Sequence, residues 1–164
     1  MANGIVRVGL VGAGGNTRLR HAPGFRDQSG VEIVSVANRS RESGERFAGE
    51  FEIPKVYDSW VDLINADDTD AICIGTWPYM HRTLTLAALE AGKHVLCEAR
   101  MAMNAKEAHD MLDASRLKPH LIAQIVPAPS TLDVDSTIQG LIADGYLGEI
   151  LAVKLRVSNT EGRA

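Results

Sequence analysis

The feature that most constrains this chain is the passage from an apolar run into glycine over residues 5–17, IVRVGLVGAGGNT. Ile5, Val6, Val8, Leu10 and Val11 are apolar and mostly β-branched, with only Arg7 intruding, which suits a parallel strand buried on both faces. Gly12, Gly14 and Gly15 come at once after it. Glycines there permit positive φ and let a pyrophosphate approach bare main chain, while the next helix offers its unpaired N–H groups to the anion. Asn16 and Thr17 complete the turn. Thr17 stands where the third glycine of G-x-G-x-x-G would be, so the helix is expected to sit slightly farther from the strand. A glycine-rich turn also opens methyltransferase sheets and serves as a plain tight turn, so its meaning depends on the rest of the chain.

Beyond the turn, strands alternate with helices. Residues 31–37, VEIVSVA, read as a second strand ending at Asn38, about 20 residues past the glycines, where an acidic side chain would hold an adenine ribose. Before it, residues 19–26 carry Pro23 and Gly24, so the first helix is expected to be short or kinked. Ser40 caps a helix to about residue 51, and residues 55–57 form a short strand. Ser59 and Asp62 pair as the cap of a third helix. AICIG at 71–75 is a buried strand, Thr76, Trp77, Pro78 and Tyr79 form the loop at its carboxyl end, and a helix runs over 81–91 to Gly92. A strand over 95–98 ends at Glu98, Asn104 and Glu107 open a helix to about 116, and 121–126 is the last strand of the series. Connections too long for hairpins specify an α/β fold, a Rossmann-like doubly wound parallel sheet, over residues 1–127. The grammar then changes. A helix over 131–144 and an alternating strand over 150–157 read as the truncated start of a second α+β domain, residues 128–164.

Composition removes several functions. With 45% hydrophobic and 23% charged residues the chain is an ordinary globular protein, and 164 residues is short for two complete domains. A net charge of −4 and only 5% aromatic residues exclude a nucleic-acid footprint, leaving a small molecule as the partner. No apolar run approaches the roughly 20 residues of a membrane span, and the N-terminus lacks a charged leader with a cleavage site. A cytoplasmic protein is expected. Cys73 and Cys97 each sit in an apolar strand and read as buried hydrophobes, with no metal assigned.

GLVGAGGNT, VSVANRS, DAICIGTWPYMH, AALEAGKHVLCEARMAMNAKEA and DGYLGEI, in that order, resemble the N-terminal half of the glucose-fructose oxidoreductase / inositol dehydrogenase / MocA-like family over nearly the whole chain. The resemblance implies a dinucleotide-binding domain followed by an open-faced sheet domain. It also implies NAD(P)-dependent hydride transfer on sugars, polyols or related alcohols. One departure matters. The family carries Glu-Lys-Pro at the end of the fifth strand, its lysine beside the nicotinamide; here the residues are Glu98, Ala99 and Arg100. Ala99 removes the lysine, and the Arg100 guanidinium stays charged, so it can hold an anion but cannot relay a proton.

The expected cofactor contacts are therefore Gly12, Gly14, Gly15, Asn16, Thr17, Asn38, Arg39, Ser40, Thr76, Trp77, Pro78 and Glu98. Glu98, Arg100 and His81 are the catalytic candidates, although His81 also reads simply as the start of a helix. His21 and Arg18 lie near the phosphates; His94 reads as structural, and His109 and His120 as surface. With a neutral Asn38 and with Arg39, Ser40 and Arg41 on the same turn, NADP is favoured slightly over NAD. A homo-oligomer is expected, the edge presented by residues 150–157 being one route to self-association. A non-catalytic dinucleotide-binding sensor or scaffold of the same fold is the competing reading, with the absent lysine as its argument.

Overall fold

The computed structural model describes residues 4–127 and 134–154. The chain divides into two units, Met1–Pro127 and Ala128–Ala164. In the first, strands β1 (Val6–Val11), β2 (Val31–Ala37), β3 (Lys55–Tyr57), β4 (Ala71–Ile74), β5 (His94–Cys97) and β6 (Ala123–Ile125) form one sheet. Its order is β3-β2-β1-β4-β5-β6, and every pairing is parallel. This is the doubly wound Rossmann-like topology, with the order reversing between β1 and β4, and a crevice opens there at the carboxyl ends of the strands.

Alternation along each strand divides the core between the two faces of the sheet. Val8 and Leu10 of β1, Val36 of β2 and Cys73 of β4 pack with Ala22 of α1 (Ala22–Arg26) and Phe47 of α2 (Arg41–Glu50). Val11, Ala37, Ile72, Ile74 and Cys97 point the other way. There they meet Leu63 of α3 (Trp60–Ile64), Leu84 and Ala88 of α4 (Pro78–Glu90) and Met111 of α5 (Ala105–Arg116). Burial on both faces is what near-continuous apolar strands require.

Helix starts follow their caps. Ser40, Ser59 and Asn104 accept hydrogen bonds from Ser43, Val61 and Glu107 N–H, satisfying donors that the first turn leaves open. At α3 the cap is Ser59 alone, reaching the second helical residue, so Asp62 contributes only its charge near the helix start. The segment before α1 is kinked, a π-helical turn over Thr17–His21 running into Ala22–Arg26. Helix α4 begins at Pro78, three residues earlier than the sequence pattern suggests, because proline at the first helical position has its φ preset and no N–H to lose. Pro78 and Tyr79 therefore belong to a helix and not to the loop.

In the second unit, the described helix is α6 (Asp135–Ala143). Residues 131–133 of the expected helix and 155–157 of the expected strand lie outside the described residues. Residues 150–154 are irregular, which corrects the expected strand over that part. The described residues of this unit contain no second strand to receive its backbone hydrogen bonds, and alternation alone does not supply them.

Candidate functional site

The crevice at the strand ends is a cleft of about 750 Å³. It draws its wall from residues just past several parallel strands. Gly12 after β1, Asn38 after β2, Asp58 after β3 and Thr76 close after β4 all line it, together with Gly14, Arg39, Ser59, Trp60, Trp77 and Met80.

Gly12 closes the end of β1 with φ +81°, a conformation that favours glycine. A Cβ there would also lie 2.5 Å from Thr76 Cγ2 and 2.8 Å from Thr76 N, so the turn and the end of β4 interlock. Gly75 belongs to the same knot: its own Cβ would come 2.3 Å from Thr17 Oγ1. The buried Thr17 side chain thus fits in place of the fingerprint's third glycine because Gly75 leaves room opposite it. Gly14 and Gly15 behave otherwise. A Cβ at either would meet nothing within 4 Å, so this part of the turn presents bare main chain at the start of a helical run, where an anion is accommodated.

Asn38 sits at the expected place with a different occupation. Its Oδ1 accepts the Ala13 N–H at 2.7 Å, and its Nδ2 donates to Ser43 Oγ at 3.1 Å. The carboxamide braces the glycine turn against α2 while the residue still lines the cleft. Ser40 Oγ is likewise engaged as the α2 cap, accepting Ser43 N–H at 3.3 Å. Of the two cations on this turn, Arg41 donates to Glu45 at 2.8 Å and to Asp58 at 2.7 Å. Arg39 lines the cleft and makes no hydrogen bond or ion pair among the described residues. Trp77 is 75% exposed at the rim, and Thr76 Oγ1 donates to Trp77 O at 3.3 Å.

A second cluster forms at the end of β5. Glu98 Oε1 accepts from Asn16 Nδ2 and from His21 Nε2, and its Oε2 accepts the Ala99 N–H at 3.1 Å. One carboxylate thereby ties the glycine turn, the π-helical turn and β5 together. The His21 and Glu98 side chains are both mostly buried. Arg100 is exposed, and its side chain makes no contact of this kind among the described residues.

His81, a catalytic candidate that also reads as the start of a helix, lies inside α4 with its ring against main chain. Its ring is fully buried at 0% exposure, with Nδ1 2.9 Å from Arg100 O and Nε2 2.9 Å from Thr76 O. Both nitrogens face main-chain acceptors, so none is left for a ligand; the ring pins the loop after β4 to the loop after β5. The cysteines supply no nucleophile, since burial pushes both thiols up to about 12.

Of the expected cofactor contacts and catalytic candidates, Gly12, Gly14, Asn38, Arg39, Thr76 and Trp77 line the cleft, whereas Gly15, Asn16, Thr17, Ser40, Pro78, His81, Glu98 and Arg100 do not. Sequence patterns pass over Asp58 and Trp60, and leave His21 without a partner. The rule that ligands bind past the carboxyl ends of parallel strands applies to β3 as much as to β2, and would have found Asp58. No local pattern announces the pairing of His21 with Glu98 across the sheet.

Comparison with known proteins agrees with this geometry. The family described as "Oxidoreductase family, NAD-binding Rossmann fold" matches residues 6–124. The trans-1,2-dihydrobenzene-1,2-diol dehydrogenase of Bos taurus is 32% identical over 151 residues, 92% of this chain and 44% of that protein. The 1,5-anhydro-D-fructose reductase of Ensifer adhaerens is 40% identical over 110 residues, 67% of this chain and 33% of its own. Among solved structures, a variant of the 3-ketoreductase KijD10 from Actinomadura kijaniata, in complex with TDP-benzene and NADP, superposes with a TM-score of 0.75 at 25% identity, covering 89% of this chain and 46% of that one. The chain thus spans less than half the length of these relatives. Its strand order, its glycine turn and these matches agree on one assignment: the chain belongs to the GFO/IDH/MocA oxidoreductase family and carries that family's NAD(P)-binding Rossmann domain.

Proposed function

We propose that this chain binds NADP(H) in modest preference to NAD(H). In the intact protein it serves an oxidoreductase that transfers hydride to or from a sugar, polyol or related alcohol. Residues 1–127 are the dinucleotide-binding domain and residues 128–164 begin the substrate domain. The observation that carries the reading is the cleft itself: bare main chain at Gly14 and an uncommitted Arg39 share one crevice at the β1/β4 switch. The names of the relatives, a diol dehydrogenase and an anhydrosugar reductase, support the substrate class.

The glycine turn from Gly12 to Thr17 holds the pyrophosphate, Arg39 attracts the charge at the adenosine ribose, and Thr76 and Trp77 border the bound molecule. A nicotinamide held here supplies the hydride donor or acceptor. Proton handling falls to this chain's own groups. Glu98, bonded to His21, offers a route for a proton that Ala99 does not, and Arg100 holds an anionic group as a fixed cation. The absence of a lysine at Ala99 also favours a second reading, a dinucleotide-binding sensor that does not turn over.

Equilibrium titration of NADPH and NADH against the parent and Arg39→Ala tests the first reading. NADPH is expected to bind more tightly, and Arg39→Ala to weaken it about tenfold, the worth of one charge-assisted contact. Tighter NADH binding, or an unchanged NADPH affinity in the variant, overturns the preference. Turnover of a polyol panel by the intact protein, lost in Glu98→Gln, argues against the sensor reading.

A further inference from the structure

The dinucleotide fingerprint asks for a carboxylate at the end of β2, whereas Asn38 is neutral and already spends its oxygen on Ala13 N–H and one amide N–H on Ser43. A carboxylate nevertheless stands in the same cleft, one strand over. Ala37 pairs with Tyr57 in the β2–β3 ladder, so Asp58 and Asn38 are the next residues of adjacent strands, level with each other, and both line the cleft. Asp58 Oδ1 accepts from Arg41 Nη1 at 2.7 Å, and Oδ2 makes no hydrogen bond among the described residues. On its other edge Arg41 is held by Glu45 at 2.8 Å.

We infer that Asp58 is the ribose-side discriminator of this cleft: its carboxylate takes the place of the acid missing at Asn38, and it tempers the preference for a 2′-phosphate. This rests on the dinucleotide reading and adds a residue to it. Two effects act in the same direction. A carboxylate accepts the hydroxyls of an unphosphorylated ribose and repels a phosphate. It also holds Arg41, leaving Arg39 as the cation offered to the phosphate. Because the Arg41–Asp58 pair is exposed and of little net worth, removing Asp58 releases the Nη1 edge of Arg41, still tethered to Glu45 through Nε, without disturbing the fold.

The test is a titration of NADPH and NADH against the parent, Asp58→Asn and Arg41→Ala. Asp58→Asn is expected to tighten NADPH binding about fivefold and weaken NADH about threefold, as a repulsive charge and a hydroxyl acceptor are lost together. Arg41→Ala, which leaves the Asp58 charge unpaired, is expected to weaken NADPH about threefold and leave NADH within about twofold. A ratio of affinities in Asp58→Asn within about twofold of the parent, or an equal gain for both dinucleotides, overturns the inference while the dinucleotide reading stands. A parent that binds neither overturns both.

Discussion

The β2–β3 side of the cleft and the end of β5 are built by the same device, a polar residue just past a parallel strand, yet they differ in what those residues have left to offer. On the first side Asn38 and Ser40 brace the turn, while Arg39 and one oxygen of Asp58 remain uncommitted among the described residues. At the β5 end Glu98 is engaged on both oxygens, by Asn16, His21 and the Ala99 N–H, and no lysine comes after it. One end keeps polar groups open to the cleft. The other is a closed network followed by Ala99, where the resemblance implies a lysine. On the proposed reading, binding and chemistry would depend on different residues of one sheet edge and be separable by substitution.

The largest separation is expected within the glycine turn. Gly12→Val places a Cβ where Thr76 already stands and at φ +81°, so it should cost about 3 kcal/mol of stability and reduce dinucleotide affinity at least about 100-fold. Gly14→Val meets open space and should leave urea unfolding nearly unchanged while still losing the dinucleotide. If both variants behave alike, the turn does not divide into a part that holds the fold and a part that faces a ligand. His81 joins the two ends, through Thr76 O and Arg100 O. Removing its fully buried ring in His81→Ala leaves a cavity and costs the hydrogen bond from the ring N–H to one of the two facing carbonyls, and should lower stability by about 3 kcal/mol by urea unfolding.

Glu98→Gln sharpens the contrast at the β5 end. It keeps the shape and removes the charge, so stability should fall by about 1–2 kcal/mol and dinucleotide affinity by less than about threefold, read on one preparation. A loss of binding as large as that from Arg39→Ala would make the β5 end part of the recognition surface.

The smallest effect lies at the opposite, amino edge of the sheet. There Arg7 donates to Asp70 through Nε at 2.9 Å and Nη2 at 2.7 Å, and this pairing holds the Asp70 carboxyl down at about 2 against an ordinary 3.8. Because the folded value is depressed, the pair's contribution is full above about pH 4 and is lost as pH falls toward 2. Asp70→Asn should therefore cost about 1 kcal/mol at neutral pH, flatten the acid limb of the stability profile between those values and leave dinucleotide affinity unchanged.

The sheet was legible in the sequence because two-sided burial writes itself as the apolar runs of β1, β2 and β4, and because glycine marks the place where β1 must turn. Ser40, Ser59 and Asn104 announced their helices since a cap acts over three residues. What was not legible depends on contacts between distant segments. The spacing placed Asn38 at the cleft but could not show that Ala13 and Ser43 would occupy its amide. His81 read either as a site group or as the start of a helix because its burial comes from α4 packing on the sheet, and His21 meets Glu98 only when β1 and β5 lie in one layer. The alternation over residues 150–157 marked an amphipathic stretch, whereas a strand also needs a neighbour.

The most direct test of recognition at this cleft uses the chain's own reporters. Its two tryptophans, Trp60 and Trp77, both line the cleft, so an occupant alters their emission without any label. NADPH added to the protein should quench tryptophan fluorescence along a saturable single-site curve and raise nicotinamide emission by energy transfer, with both signals lost in Gly14→Val while that variant still unfolds cooperatively. Quenching that does not saturate, or that persists unchanged in folded Gly14→Val, would contradict the assignment of this cleft as the dinucleotide site.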